Sequence, residues 1–194
     1  MYVPEMFKID EADEIFAFVE AHAFGQLVSQ HDSRPLVSHL PFLLGEDRKT
    51  LKCHVARPNP HWQQIEGQQA LVTFSGPHDY ISPSWYLGAG VPTWNYQAVH
   101  VYGRCRVFDD GAELAALVEA LAGVYEARSE TPWQPKYPDS MLKAIVGIEL
   151  TIGEVQCKYK LSQNRPARDH QPVIERLEKR GADALVAAMR KTLL

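Results

Sequence analysis

The chain has 194 residues, 45% of them apolar and 23% charged, with a formal net charge of −4. That length supports a single domain with a sizeable core, and the balance of apolar and charged residues excludes a disordered chain. No window approaches the roughly 18 uninterrupted apolar residues of a membrane span, and the opening Met1-Tyr2-Val3-Pro4-Glu5 lacks the basic start and apolar run of a secretory signal.

The first predicted element is a helix. Asp10 is a candidate N-cap, Glu11, Asp13 and Glu14 suit the positive end of the helix dipole, and Ile15, Phe16, Val19 and Ala23 form the apolar stripe, with Gly25 as the stop. Gln26 to Gln30 reads as a short strand and His31 to Pro35 as a turn. Leu36 to Leu44 is a second strand, ended by Gly45-Glu46-Asp47, and its closeness to Thr50–Ala56 predicts a hairpin between the two. Pro58-Asn59-Pro60 halts that strand and Pro60 opens a helix towards Ile65. Ala70 to Phe74 is the next strand.

From Thr93 to Phe108 the period is two: Val99, Val101, Gly103, Cys105 and Val107 share one face, and His100, Tyr102, Arg104 and Arg106 the other. Residues 112–128 switch to helical spacing through Leu114, Leu117, Val118, Leu121, Val124 and Tyr125. Pro132 to Pro138 is a loop, Ile148 to Leu161 a last strand, and residues 172–191 two short helices around Gly181. Closely spaced strands joined by turns predict a mainly β, α+β fold: an antiparallel sheet or barrel with flanking helices, spanning residues 1–194 as one domain, and not a doubly wound α/β fold.

No Walker or dinucleotide glycine loop occurs, and no Gly-x-Ser-x-Gly elbow. The histidines lack metal spacing and no Cys-x-x-Cys accompanies them, so neither a metal site nor a zinc or triad enzyme is expected. Cys53, Cys105 and Cys157 are far apart and odd in number, which suits buried, reduced thiols and a cytoplasmic location. Charge is uneven: from Lys158 onward nine Lys/Arg face four Asp/Glu, on an otherwise acidic chain. A basic tail of this kind can meet an anionic ligand or nucleic acid, or can be a solvated helix pair.

Four stretches cluster aromatic rings with hydrogen-bond donors. They are Ser38-His39-Leu40-Pro41, Lys52 to Pro60, Gly76 to Tyr86 running on to Val91–Tyr96, and Lys160 to Pro166. The mixture suits a flat, anionic, heteroaromatic ligand whose ring takes apolar contact and a few directed polar groups. A phosphate tail favours a helix entrance and an arginine, where Arg57 and Asn59 stand ahead of Pro60. The plainer readings stand beside these. His39 can be a structural strand histidine, Arg57 a solvated charge, Trp85, Tyr86, Trp94 and Tyr96 core or interface rings, and Gln163 with Asn164 a cap on the last strand. Arg104 and Arg106 read as solvated.

The runs His54-Val55-Ala56-Arg57-Pro58-Asn59-Pro60, Gly76 to Tyr86, Val91 to Tyr96 with Ala98 to Gly103, and Lys160 to Arg165 resemble the PaiB family of FMN-binding negative transcriptional regulators. The similarity covers nearly the whole chain, including Met1-Tyr2-Val3-Pro4. It implies a split-barrel flavin fold related to pyridoxamine-phosphate oxidases, built as a homodimer with two FMN sites across the interface. It further implies His39 beside the flavin ring, and His54, Arg57 and Asn59 towards the ribityl chain and phosphate. Trp94 and Asn95 would reach the flavin of the second subunit, and Gln163 and Arg165 would close the site. Three functions follow as expectations: a flavin-dependent regulator that contacts DNA directly or through partners, a flavin-dependent oxidoreductase whose reactivity comes from the cofactor, and a cofactor-free or haem-binding dimer.

Overall fold

The computed structural model describes residues 1–127, 129–133 and 135–193, and among them lie seven strands, six α-helices and two short 3-10 helices. The strands are β1 (Phe24–His31), β2 (Arg34–Pro41), β3 (Leu43–Leu44), β4 (Thr50–Ala56), β5 (Gln69–Ile81), β6 (Thr93–Phe108) and β7 (Ile145–Lys160). They form one sheet in the order β2-β1-β5-β6-β7-β4-β3, with antiparallel pairing of β1 to β2 and β5, and of β4 to β3 and β7. The helices are α1 (Ala12–Ala21), α2 (His61–Ile65), α3 (Gly111–Glu126), α4 (Asp139–Leu142), α5 (Ala167–Glu178) and α6 (Asp183–Leu193). The expected antiparallel, mainly β fold with flanking helices is therefore the observed one.

Several boundaries differ from the sequence reading, each for a local reason. Gly25 does not stop α1; it lies within β1, where a side chain at that position would come within 2.8 Å of the Phe74 ring and 2.9 Å of the Thr73 carbonyl oxygen. The turn after β1 is tighter than His31–Pro35. Only Asp32 (φ 50°) and Ser33 (φ 62°) leave the strands, both left-handed, as a two-residue hairpin requires. The side chain of Gln64 holds Asp32 from α2, accepting from its N–H at 3.0 Å and donating to its carboxylate at 2.7 Å.

Leu36–Leu44 is not one strand. β2 pairs with β1, and the N–H of Phe42 donates to the Ala23 carbonyl at 2.8 Å while its ring packs edge-on against Phe74. Only β3 keeps the expected hairpin, with Leu43 opposite Lys52 and Leu44 opposite Leu51. β5 runs on past Phe74 to Ile81, absorbing Gly76-Pro77. α3 begins as expected, because Asp110 accepts from the N–H groups of Ala112 and Glu113. Leu114, Leu117 and Leu121 are buried there, whereas Val124 and Tyr125 at its end are exposed. Residue 128, included in the predicted helix, lies outside the described residues. α5 starts at Ala167, ahead of Pro172, so the proline sits inside the helix and not at its head. Gly181 (φ +73°) makes the turn into α6.

The chain forms two compact units. One comprises Val19–Phe74 and His100–Val155; the other comprises Met1–Phe18, Ser75–Val99 and Gln156–Leu194. The first buries Leu27, Leu51, Val72, Phe74 and Leu150, and a separate cluster of Phe108, Leu114, Leu117 and Leu121 under α3. The second buries Phe18, Ile81, Val99, Leu161, Ile174, Leu177 and Met189. The polypeptide passes between them within α1, β5, β6 and β7. The three cysteines are buried and unpaired, and burial pushes the thiols of Cys105 and Cys157 up to about 12.

Candidate functional site

In the unit built from residues 19–74 and 100–155, alternation in β1, β2 and β5 turns one side of each strand outward. His39 stands on that side of β2, opposite Gln26 of β1, which lies opposite Thr73 of β5. The three form a polar row. The Gln26 amide donates to His39 Nε2 at 3.3 Å, and the Thr73 hydroxyl donates to Gln26 Oε1 at 3.2 Å. Two strand positions further along, Val28, Gln30, Leu71 and Tyr102 line a groove of about 360 Å³. Phe24 and Val37 leave large apolar side chains exposed on the same strands.

The inner side of β2 carries a network that the sequence reading missed. His61, 1% exposed, sits between Ser29 (2.9 Å to Nε2) and Ser38 (2.8 Å to Nδ1). Asn59 fixes the entrance of α2: its amide donates to Ser38 Oγ at 3.2 Å and its carbonyl accepts from the His61 N–H at 3.0 Å. A neutral imidazole, with one N–H and one lone pair, satisfies both serines. Burial, with the charge of His31 second, pushes His61 down to about 4, so it stays neutral in ordinary buffers. Asn59 thus holds α2 in place.

Arg57 is also taken up within the chain. Its Nε donates to the Lys143 carbonyl at 2.6 Å, its Nη2 to the Ile145 carbonyl at 3.0 Å, and its Nη1 faces Asp109 at 3.6 Å. His54, on β4, is different: its Nδ1 is buried with no hydrogen-bond partner among the described residues, and burial lowers its pKa. An uncharged imidazole suits a neutral hydrogen-bonding edge better than a phosphate.

In the other unit, Trp94 is 53% exposed and forms an aromatic group with His78 (6.4 Å between rings) and Tyr80 (6.2 Å). Lys160 pins this end of β6, donating to Thr93 Oγ1 at 2.7 Å and to the Trp94 carbonyl at 2.6 Å. Asn95, its neighbour, is 0% exposed. Its amide donates to Ser162 Oγ at 2.9 Å and so ties β6 to the turn after β7, while its Oδ1 is buried with no hydrogen-bond partner among the described residues. The Gln163 side chain accepts from the Leu161 N–H and donates to the Tyr159 carbonyl, both at 2.6 Å, and so closes the strand end. Arg165 stacks 3.9 Å from the Tyr86 ring centroid and donates to Asp169 and to the Ala89 carbonyl, each at 3.0 Å. Asp169 also accepts from the Leu87 N–H at 3.0 Å. Burial alone would raise this carboxyl, but the Arg165 hydrogen bonds and the Leu87 N–H outweigh it and hold the pKa below its usual value.

The expected site residues therefore separate by surroundings. His39 and Trp94 have surface and His54 an unpartnered ring nitrogen, Asn59, Gln163 and Arg165 bond within their own chain, and Arg57 and Asn95 do so through only part of their polar groups. A flavin combines a flat ring, a hydrogen-bonding edge and an anionic tail. The buried, unpartnered Nδ1 of His54 fits the ring edge, and exposed rings such as Trp94 fit its faces. Among the described residues no group of three or more His, Cys, Asp or Glu side chains is placed to hold a metal ion, and no helix is long and apolar enough to cross a membrane.

An antiparallel seven-stranded sheet in this order, with flanking helices, is the split-barrel fold found among flavin-binding proteins. The chain belongs to the family described as "Putative FMN-binding domain", which matches residues 1–154. It is 41% identical over 186 residues to "Protease synthase and sporulation protein PAI 2" of Bacillus subtilis (strain 168), covering 92% of this chain and 89% of that protein. In fold it is similar to the flavocytochrome Anf3 from Azotobacter vinelandii, with a TM-score of 0.67 at 17% identity over 81% of this chain and 72% of that one. It is also similar to the FAD and heme binding protein from Mycobacterium smegmatis, with a TM-score of 0.64 at 13% identity over 79% and 73% of the two chains.

Proposed function

We propose that the protein binds FMN and uses its occupancy to regulate transcription negatively, as a homodimer. The observation that carries the flavin reading is His54, whose buried Nδ1 lacks a partner among the described residues, in a chain of the family described as "Putative FMN-binding domain". His54 would bond the ring edge and His39 would stand beside the ring. Trp94, half exposed, would reach the flavin of a second copy. When bound, FMN supplies redox chemistry; the residues of the chain bind and orient it. Titration with FMN, followed by flavin fluorescence and melting temperature together, tests this. Saturable quenching with stabilisation of about 2.7 kcal/mol at a hundredfold excess over Kd is the expected result; no response in either signal removes the flavin. Within that titration, His54→Phe is expected to weaken FMN binding by about 1 kcal/mol, roughly fivefold, the contribution of one hydrogen bond. Unchanged affinity takes His54 out of the site.

The regulatory half of the reading favours contact through a dimer surface over broad contact with DNA. Part of the basic tail is paired within its own unit: Arg180 with Asp79 at 3.1 Å, Lys191 with Glu14 at 2.9 Å and Arg190 with Glu178 at 2.5 Å. Phosphate contacts give binding a steep salt dependence. Strong, salt-sensitive binding to promoter DNA by the purified protein would reverse this preference.

A further inference from the structure

A cavity of about 480 Å³ opens between α3 and α4, within one unit, and the flavin reading makes no use of it. Its volume lies in the range of small-molecule sites, roughly 300–1,000 Å³. Leu114, Ala115 and Leu142 give it apolar walls, and Arg57, Lys143 and Asp109 stand at its polar side. Gly111 leaves the rim open, since a side chain there would meet nothing within 4 Å.

Arg57 makes this cavity selective. Two of its three nitrogens are fixed by the Lys143 and Ile145 carbonyls. The third, Nη1, is held in place without a hydrogen bond of its own among the described residues, since Asp109 at 3.6 Å lies beyond hydrogen-bonding distance. Asp109 is 67% exposed, so this ion pair is a weak one that an incoming anion can displace at little cost. A guanidinium already immobilised loses little freedom on taking up a carboxylate. Lys143 is on the same lining, so the cavity wall carries two basic residues and one exposed acid beside three apolar residues.

We propose that this cavity is a second ligand site, for a small amphipathic organic anion: a carboxylate with a short aliphatic or aryl tail. The carboxylate meets Arg57 Nη1 and the tail lies against Leu114, Ala115 and Leu142. The site is independent of FMN and gives the protein an input separate from the flavin.

The test is calorimetric titration of the full chain with hexanoate and benzoate, and with hexanol as the neutral control. Saturable binding of at least one carboxylate, about tenfold or more tighter than hexanol, is expected. Lys143→Gln should weaken it severalfold, and Ala115→Trp, which fills the cavity, should abolish it. Melting curves and FMN titration of both variants confirm that fold and flavin site are intact. No saturable carboxylate binding into the millimolar range overturns the proposal, as does equal binding of hexanol or binding that survives Ala115→Trp. FMN binding can fail or succeed separately, so the two readings stand or fall on different curves.

Discussion

Gly103→Ala is expected to destabilise the protein by about 3 kcal/mol or more, the upper end for overpacking. Gly103 lies in the middle of β6, and a methyl group there would press directly into the Thr151 carbonyl oxygen and come within 2.5 Å of Leu150 Cδ2. A flexible side chain could swing aside, but a backbone carbonyl in a paired strand cannot move without disturbing its hydrogen bonds. Urea unfolding should show a lower midpoint at unchanged slope. Gly111→Ala is the companion: at the head of α3 the added methyl meets open space, and the change should be neutral or stabilising by up to about 1 kcal/mol. A loss under about 1 kcal/mol for Gly103→Ala would mean that β6 and β7 separate more easily than their packing implies.

The second large effect is a dependence on pH that originates at His61. Its folded pKa, about 4, lies below the ordinary value of 6.5, so the unfolded chain binds more protons between these values. Stability contributed by the neutral, doubly bonded imidazole is fully present above about pH 6.5 and is lost as the pH falls towards 4. The loss should reach on the order of 2 kcal/mol. His61→Gln keeps polar atoms near Ser29 and Ser38 but cannot titrate. Measured by urea unfolding from about pH 7 to about pH 4.5, wild type should lose more stability than the variant. Parallel curves would place the titration elsewhere.

His61 also illustrates what the sequence conveyed and what it did not. It read as one residue of a short helix, because nothing in Pro60-His61-Trp62 announces that Ser29 and Ser38 will converge on it from β1 and β2. Those contacts span 32 and 23 residues, and only the hairpin at Asp32-Ser33 brings them together. Where a pattern is repeated along one element most of it was readable: the alternation in β6 is buried from Val99 to Cys105 and breaks at Val107, and the α3 stripe is buried at Leu114, Leu117 and Leu121 but not at Val124 and Tyr125. Single breakers misled in both directions. Gly76-Pro77 hid the second half of β5, Pro172 hid the start of α5, and Gly25 looked like a stop while serving close packing. For the site, residue type pointed to chemistry but not to partners. Arg57 and Arg165 have the charge an anion needs, yet Asp169 and a carbonyl hold Arg165, and carbonyls 86 and 88 residues away take two of the three nitrogens of Arg57 and leave only Nη1. Family membership, by contrast, was readable because it rests on runs of consecutive residues.

The segment Gln156–Leu194 carries a consequence for how the family's domain should be delimited. The family match stops at residue 154, yet the unit containing the N-terminus is completed only by the end of β7, α5 and α6, with Leu161, Ile174, Leu177 and Met189 in its interior. A boundary drawn by similarity is therefore not a boundary of folding. A protein cut at that point would keep every matched residue and still expose one hydrophobic interior to water.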